Sequence, residues 1–165
     1  MRLPGRGHRV DAARVEVLAE AVERGEAGPG RSGASAWLLD RSPGLRAGGS
    51  ARVVRVAEAA TDDRYAVLLA GVRQARVPLV TAAVVVEEFQ RLAPRLADGA
   101  DGPVMAGLVE VASWGQCKDV RGLRHRLVAR YGAPGELQAE HDQACERRAL
   151  SQPLEDGTGL FEYTM

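Results

Sequence analysis

Asparagine and isoleucine are absent from this 165-residue sequence, and Lys118 is its only lysine. GC-rich coding accounts for those gaps together with the abundance of Ala, Gly, Val and Arg. The arginine bias therefore does not by itself announce a phosphate binder, although arginine suits bidentate phosphate contacts. Cysteine is scarce too. Cys117 and Cys145 stand far apart with no CxxC pair, which argues against a zinc ribbon or a disulfide framework and leaves two reduced thiols. Aromatic residues make up only 4%, so a core must be built from Ala, Val and Leu, and the alanine content favours closely packed helices. The 22 basic residues are matched by 22 acidic ones, so only a local basic patch can serve nucleic acid. No stretch approaches the ~20 apolar residues of a membrane span. Met1 to Val10 is polar and lacks the apolar segment of a secretory signal. The expectation is a cytoplasmic protein with no membrane partner.

Catalytic chemistry is also thinly supplied. His8, His125 and His141 fall in three different segments, so a metal site is not expected. Gly28-Pro29-Gly30-Arg31-Ser32-Gly33 satisfies GxGxxG, but a dinucleotide fingerprint needs a preceding strand, and Leu18 to Arg24 reads as helix. A linker is the better reading. Asp62-Asp63 suits a helix N-terminus, Glu87-Glu88 reads as the polar face of a helix, and neither has a partner acid, His or Lys at a useful spacing. Ser113 and Ser151 lack nucleophile-elbow glycines. No catalytic, cofactor-binding or metal-binding residue is assigned.

What is present is helical periodicity. Residues 1–10 read as a loose arm, 11–148 as a helical domain, and 149–165 as a β-hairpin that begins a truncated continuation. Asp11 is expected to cap a first helix carrying Val15, Leu18, Ala19 and Val22. Gly25 to Gly33 is a break, and Ala34 to Asp40 a short helix. Ser50 is expected to cap a helix with Val53, Val54, Val56 and Ala57 inward. Thr61-Asp62-Asp63 starts another. Pro78 opens a long helix striped by Leu79, Ala82, Val86, Phe89 and Ala93. Further helices are predicted over 104–114, 119–131 and 135–147. The fold class is mainly α, an irregular bundle of six to eight helices with a small C-terminal hairpin. Trp37 and Trp114, each among apolar neighbours, are expected to pack in a core or interface.

Three segments, in order, resemble a known family. They are Ala36-Trp37-Leu38-Leu39 with Arg52-Val53-Val54-Arg55-Val56-Ala57; Leu69-Ala70-Gly71 through Ala75-Arg76-Val77 to Leu96; and Asp119 to Leu127 with Glu146-Arg147-Arg148-Ala149-Leu150 and the Asp156-Gly157 turn. Together they resemble the actinobacterial domain of unknown function that precedes the HNH nuclease in thirteen-E-twelve repeat proteins. Two departures are Gly48-Gly49, where better helix formers are usual, and the lack of a histidine near the start of the long helix. The resemblance implies a helical accessory domain beside a DNA-cleaving module. An HNH site needs a water-activating histidine, further metal ligands and usually an asparagine; the nuclease motif is not in this chain.

The densest cluster of charge is Lys118, Arg121, Arg124, Arg126 and Arg130, opposed within the segment by Asp119 alone. Helical spacing puts Val120, Leu123, Leu127 and Tyr131 inward and groups Arg121, Arg124 and His125 on another face. Arg121, Arg124, Arg126 and Arg130 are the candidate phosphate contacts, with DNA as the partner. The competing reading is intramolecular: Glu136, Glu140, Asp142 and Glu146 of the next helix neutralise them across an antiparallel pair. Arg147-Arg148 is a smaller candidate. The functional alternatives are a protein-interaction or oligomerisation domain, docking through the hairpin residues Phe161 and Tyr163, and a truncated remnant.

Overall fold

The computed structural model describes residues 6–42, 44–45, 47–151, 154–155 and 161–162. Among them the chain is mainly helical, and no helix is long and apolar enough to cross a membrane.

The architecture is organised around α5 (Leu79–Leu92). Its sequence, LVTAAVVVEEFQRL, is apolar on nearly every side until its last turns, and such a helix must be enclosed. Pro78 precedes its first turn in an extended conformation and accepts a hydrogen bond from Thr81 Oγ1 at 3.0 Å. The expected stripe of Leu79, Ala82, Val86 and Phe89 is buried, with Ala93 partly so. Ala83, Val84, Val85 and Glu88 are buried as well. Around α5 pack α3 (Ala47–Glu58), α6 (Asp101–Trp114) and α7 (Cys117–Gly122). Outside these, α1 (Arg6–Glu23) and α2 (Gly30–Arg41) lie on α3, and α4 (Ala66–Arg73) lies on α6. The α4–α5 corner is tight. A Cβ on buried Gly71 would meet Val77 Cγ2 at 2.9 Å, so this corner requires glycine.

Several expected boundaries move. Asp11 is not a cap: α1 begins at Arg6, and Asp11 instead pairs with Arg14 at 3.1 Å. Ser50 is not a cap either, because α3 already begins at Ala47. Ser50 is 1% exposed, and its hydroxyl lies 2.9 Å from that of Ser35, joining α3 to α2. The Thr61-Asp62-Asp63 signal does start structure. Asp62 accepts from the Arg64 backbone N–H and leads through a short 3-10 turn into α4. The Gly28–Gly33 segment follows helix α1 rather than a strand. Gly28 and Gly30 have positive φ, and a Cβ on Gly33 would come within 2.9 Å of the Gly28 carbonyl carbon. These glycines build a corner. The segment expected as one helix over 119–131 is two, α7 and α8 (Arg124–Tyr131), parted at Leu123. Last comes α9 (Glu136–Ser151), which packs on α8. Of the expected hairpin over 149–165, residues 152–153, 156–160 and 163–165 lie outside the described residues, Tyr163 among them.

Candidate nucleic-acid interface

The segment α6–α7–α8 is positioned by interactions readable residue by residue. Gly115 ends α6, donating its N–H to the Val111 carbonyl at 2.7 Å. A Cβ there would lie 2.8 Å from that same oxygen, so only glycine fits the turn. Gln116 and Asp119 then form a reciprocal capping box at the start of α7, with the Gln116 backbone N–H donating to Asp119 Oδ2 at 2.7 Å. Asp119, the one carboxylate among the clustered cations, is thereby used to start the helix. Val120, Leu127 and Val128 are buried, while Leu123 and Tyr131 are half-buried. The far end of α8 is tied to the end of α5. The Ala97 N–H donates to Tyr131 O and the Ala133 N–H to Arg95 O, both at 2.8 Å, and Leu96 bridges Gly132.

The candidate arginines separate into two kinds. Arg124 turns inward and donates from Nε and Nη2 to the two carboxylate oxygens of Glu88, each at 2.8 Å. Glu88 is 0% exposed, and its Oε1 also accepts from Arg91 at 3.2 Å. This corrects the reading of Glu87-Glu88 as a polar face. Glu87 does pair at the surface, with Arg55, but Glu88 is a core carboxylate. A buried carboxylate is tolerated only when paired and hydrogen-bonded, and a two-point guanidinium fork meets that need. Arg124 therefore does not share a face with Arg121, because the break at Leu123 interrupts the spacing that would align them.

Arg121, Arg126 and Arg130 are exposed, as is Lys118. None of the four forms an ion pair among the described residues; Arg130 places its guanidinium 5.4 Å from the centre of the Tyr131 ring. The acids of α9 are directed elsewhere where they are described. Glu136 accepts from Arg95 at 2.7 Å, and Asp142 accepts from Gln138 at 2.8 Å. The side chains of Glu140, Glu146, Arg147 and Arg148 lie outside the described residues.

No protein-family model, curated protein or solved structure matches the chain.

Two features were missed in the sequence. Burial of Glu88 had a signal, since a helix apolar on all sides leaves no polar face for a carboxylate near its end. Trp114 had none: flanked by Val111, Ala112 and Gly115, it reads as core or interface, and it is not core, being 71% exposed at the end of α6. Trp37 is half-buried, and the Arg41 guanidinium lies 4.2 Å from the centre of its ring. Among the described residues no three His, Cys, Asp or Glu side chains gather as a metal-binding group. Cys117 lies with its thiol 3.9 Å from the Val80 carbonyl oxygen, and Cys145 with its thiol 3.6 Å from His141 Nε2. A cleft of about 120 Å³ between α2 and α3 is lined by Arg31, Ser35, Ala51, Val54 and Arg55. That is well below the ~300–1,000 Å³ of small-molecule sites, and its arginines already pair with Glu58 and Glu87.

Proposed function

We propose that this chain is a non-catalytic helical accessory module that associates with DNA through the outer face of α7 and α8. The observation that carries this reading is that Lys118, Arg121, Arg126 and Arg130 are each exposed on these consecutive helices with no carboxylate partner among the described residues. Phosphates supply the missing anions, and each neutralised phosphate adds affinity and salt dependence. Arg124 serves as a positioning residue, fixing α8 to the core through Glu88. The sequence resemblance to the domain that precedes HNH nucleases supports the accessory role and the choice of DNA. The pairing of Leu154 with Glu162 and of Glu155 with Phe161 supports reading the C-terminal segment as a hairpin. Docking of a protein through Phe161 has no comparable observation behind it.

Fluorescence anisotropy of labelled DNA at several salt concentrations tests the reading. Affinity is expected to fall log-linearly with salt, with a slope of about −0.7 to −0.9 for each phosphate neutralised. Arg121→Glu with Arg126→Glu is expected to flatten the slope by about two contacts' worth. No binding at low salt by a folded sample refutes it.

A further inference from the structure

We propose that the DNA engaged by this face is single-stranded, with Trp114 as the surface on which an unpaired base stacks; the proposal rests on the reading above. Trp114 is the most exposed large apolar side chain among the described residues. Its backbone is fixed by the fold. It closes α6, is followed by the glycine-only turn at Gly115, and leads within four residues to Lys118, so the two Cα atoms are at most about 14 Å apart. Arg121 follows one helical turn later. An aromatic plane open to solvent beside unpaired cations is the pattern that grips single strands, since the cations follow the backbone and the ring stacks on exposed base faces. Duplex bases are already stacked on one another and offer an indole no free face. The other tryptophan makes the contrast, because the Arg41 guanidinium already lies over the Trp37 ring. No cation or ring covers Trp114 among the described residues. One group opposes the proposal: Glu110 is exposed one turn back on α6, on the side Trp114 shares at i, i+4 spacing. It repels phosphate, so Glu110→Gln is expected to tighten binding.

The test uses the full chain and oligothymidylate about 15 nucleotides long, a length chosen to match the site size of single-strand binders. It is compared with a duplex and an oligoribouridylate of equal length by anisotropy and tryptophan emission. Oligothymidylate is expected to quench the emission and to bind about tenfold or more tightly than the duplex. Trp114→Ala is expected to lose about tenfold on the single strand while leaving the weak duplex binding unchanged, and Trp114→Phe to retain most of the affinity. Equal or tighter duplex binding, or an indifferent Trp114→Ala, overturns the single-strand assignment. If the duplex still responds to Arg121 and Arg126 reversal, the basic-face reading survives that failure. Tighter, Trp114-dependent binding of the ribo-oligomer overturns the choice of DNA. Absence of binding to all three by folded protein overturns both proposals.

Discussion

The arginines of α1 to α6 and those on the outer face of α7 and α8 live in different electrostatic surroundings. Nine arginines between Arg14 and Arg95 form ion pairs with carboxylates. Most of those pairs are exposed, and each contributes no more than about 1 kcal/mol. Arg9 and Arg52 are exposed with no carboxylate partner among the described residues, and Arg76 donates only to Gln74, so the contrast is one of local density. Within α7 and α8 the one acid, Asp119, is spent on the capping box, and Glu88 takes Arg124 inward. Lys118, Arg121, Arg126 and Arg130 have no carboxylate partner among the described residues. A chain of zero net charge can still carry a positive face, provided that its acids are consumed elsewhere.

That comparison can be broken most severely at Arg124. Arg124→Met is expected to destabilise the protein by about 3 kcal/mol in urea unfolding, near the lower end for a broken buried pair because Arg91 still reaches Glu88. The double variant with Glu88→Met should recover most of that loss, since an apolar pair suits the site. A single variant as stable as the parent would show that Glu88 does not hold α8.

Packing should outweigh the surface pairs of the first region. Gly71→Ala forces a Cβ against Val77, which is itself buried and β-branched, and is expected to cost about 1–3 kcal/mol. Arg24→Ala, which removes only an exposed pair with Glu20, should cost less than about 1 kcal/mol by the same measurement. Equal losses would mean that the ion pairs matter more than the geometry indicates.

The outer face should behave in the opposite way. Arg121→Glu and Arg126→Glu together are expected to change stability by no more than about 0.5 kcal/mol each, because neither side chain has a partner among the described residues. They should abolish most of the salt-dependent DNA binding. A large thermal destabilisation would reveal a structural role instead.

The smallest expected effect is acid sensitivity at Asp62. Hydrogen bonds from the Arg64 side chain hold its carboxyl below the ordinary value of 3.8. A depressed folded value stabilises the fold above the unfolded one, and that contribution is lost as pH falls through the folded one. Asp62→Asn should therefore slightly flatten the acid limb of a melting-temperature profile below about pH 4. Because the pair is largely solvated, the change should be small. An unaltered limb would remove Asp62 from the account.

Much of the helical framework was legible because its signals are local. The stripe from Leu79 to Phe89, the proline before α5 and the Asp62 start signal each act within a turn or two. Ser50 misled because a serine that can cap can equally donate across a helix contact, and only the approach of Ser35 decides which. Asp11 misled for a related reason: α1 could extend back to Arg6 without it.

The candidate interface divides along the same line. The sequence alone determined that the molecule is mainly helical, that its charge balances, and that a run of cations follows residue 117. Local patterning and composition carry those facts, and no distant contact is needed to read them. Only tertiary structure decided which cations turn inward to a buried carboxylate and which stay exposed. Glu88 and Arg124 are separated by 36 positions and meet because α5 must be enclosed on all sides. Trp114 is left in solvent because the turn at Gly115 and the capping box direct α7 back onto α5 without covering the indole. Burial and pairing are properties of what surrounds a side chain, and those surroundings are assembled from distant parts of the chain.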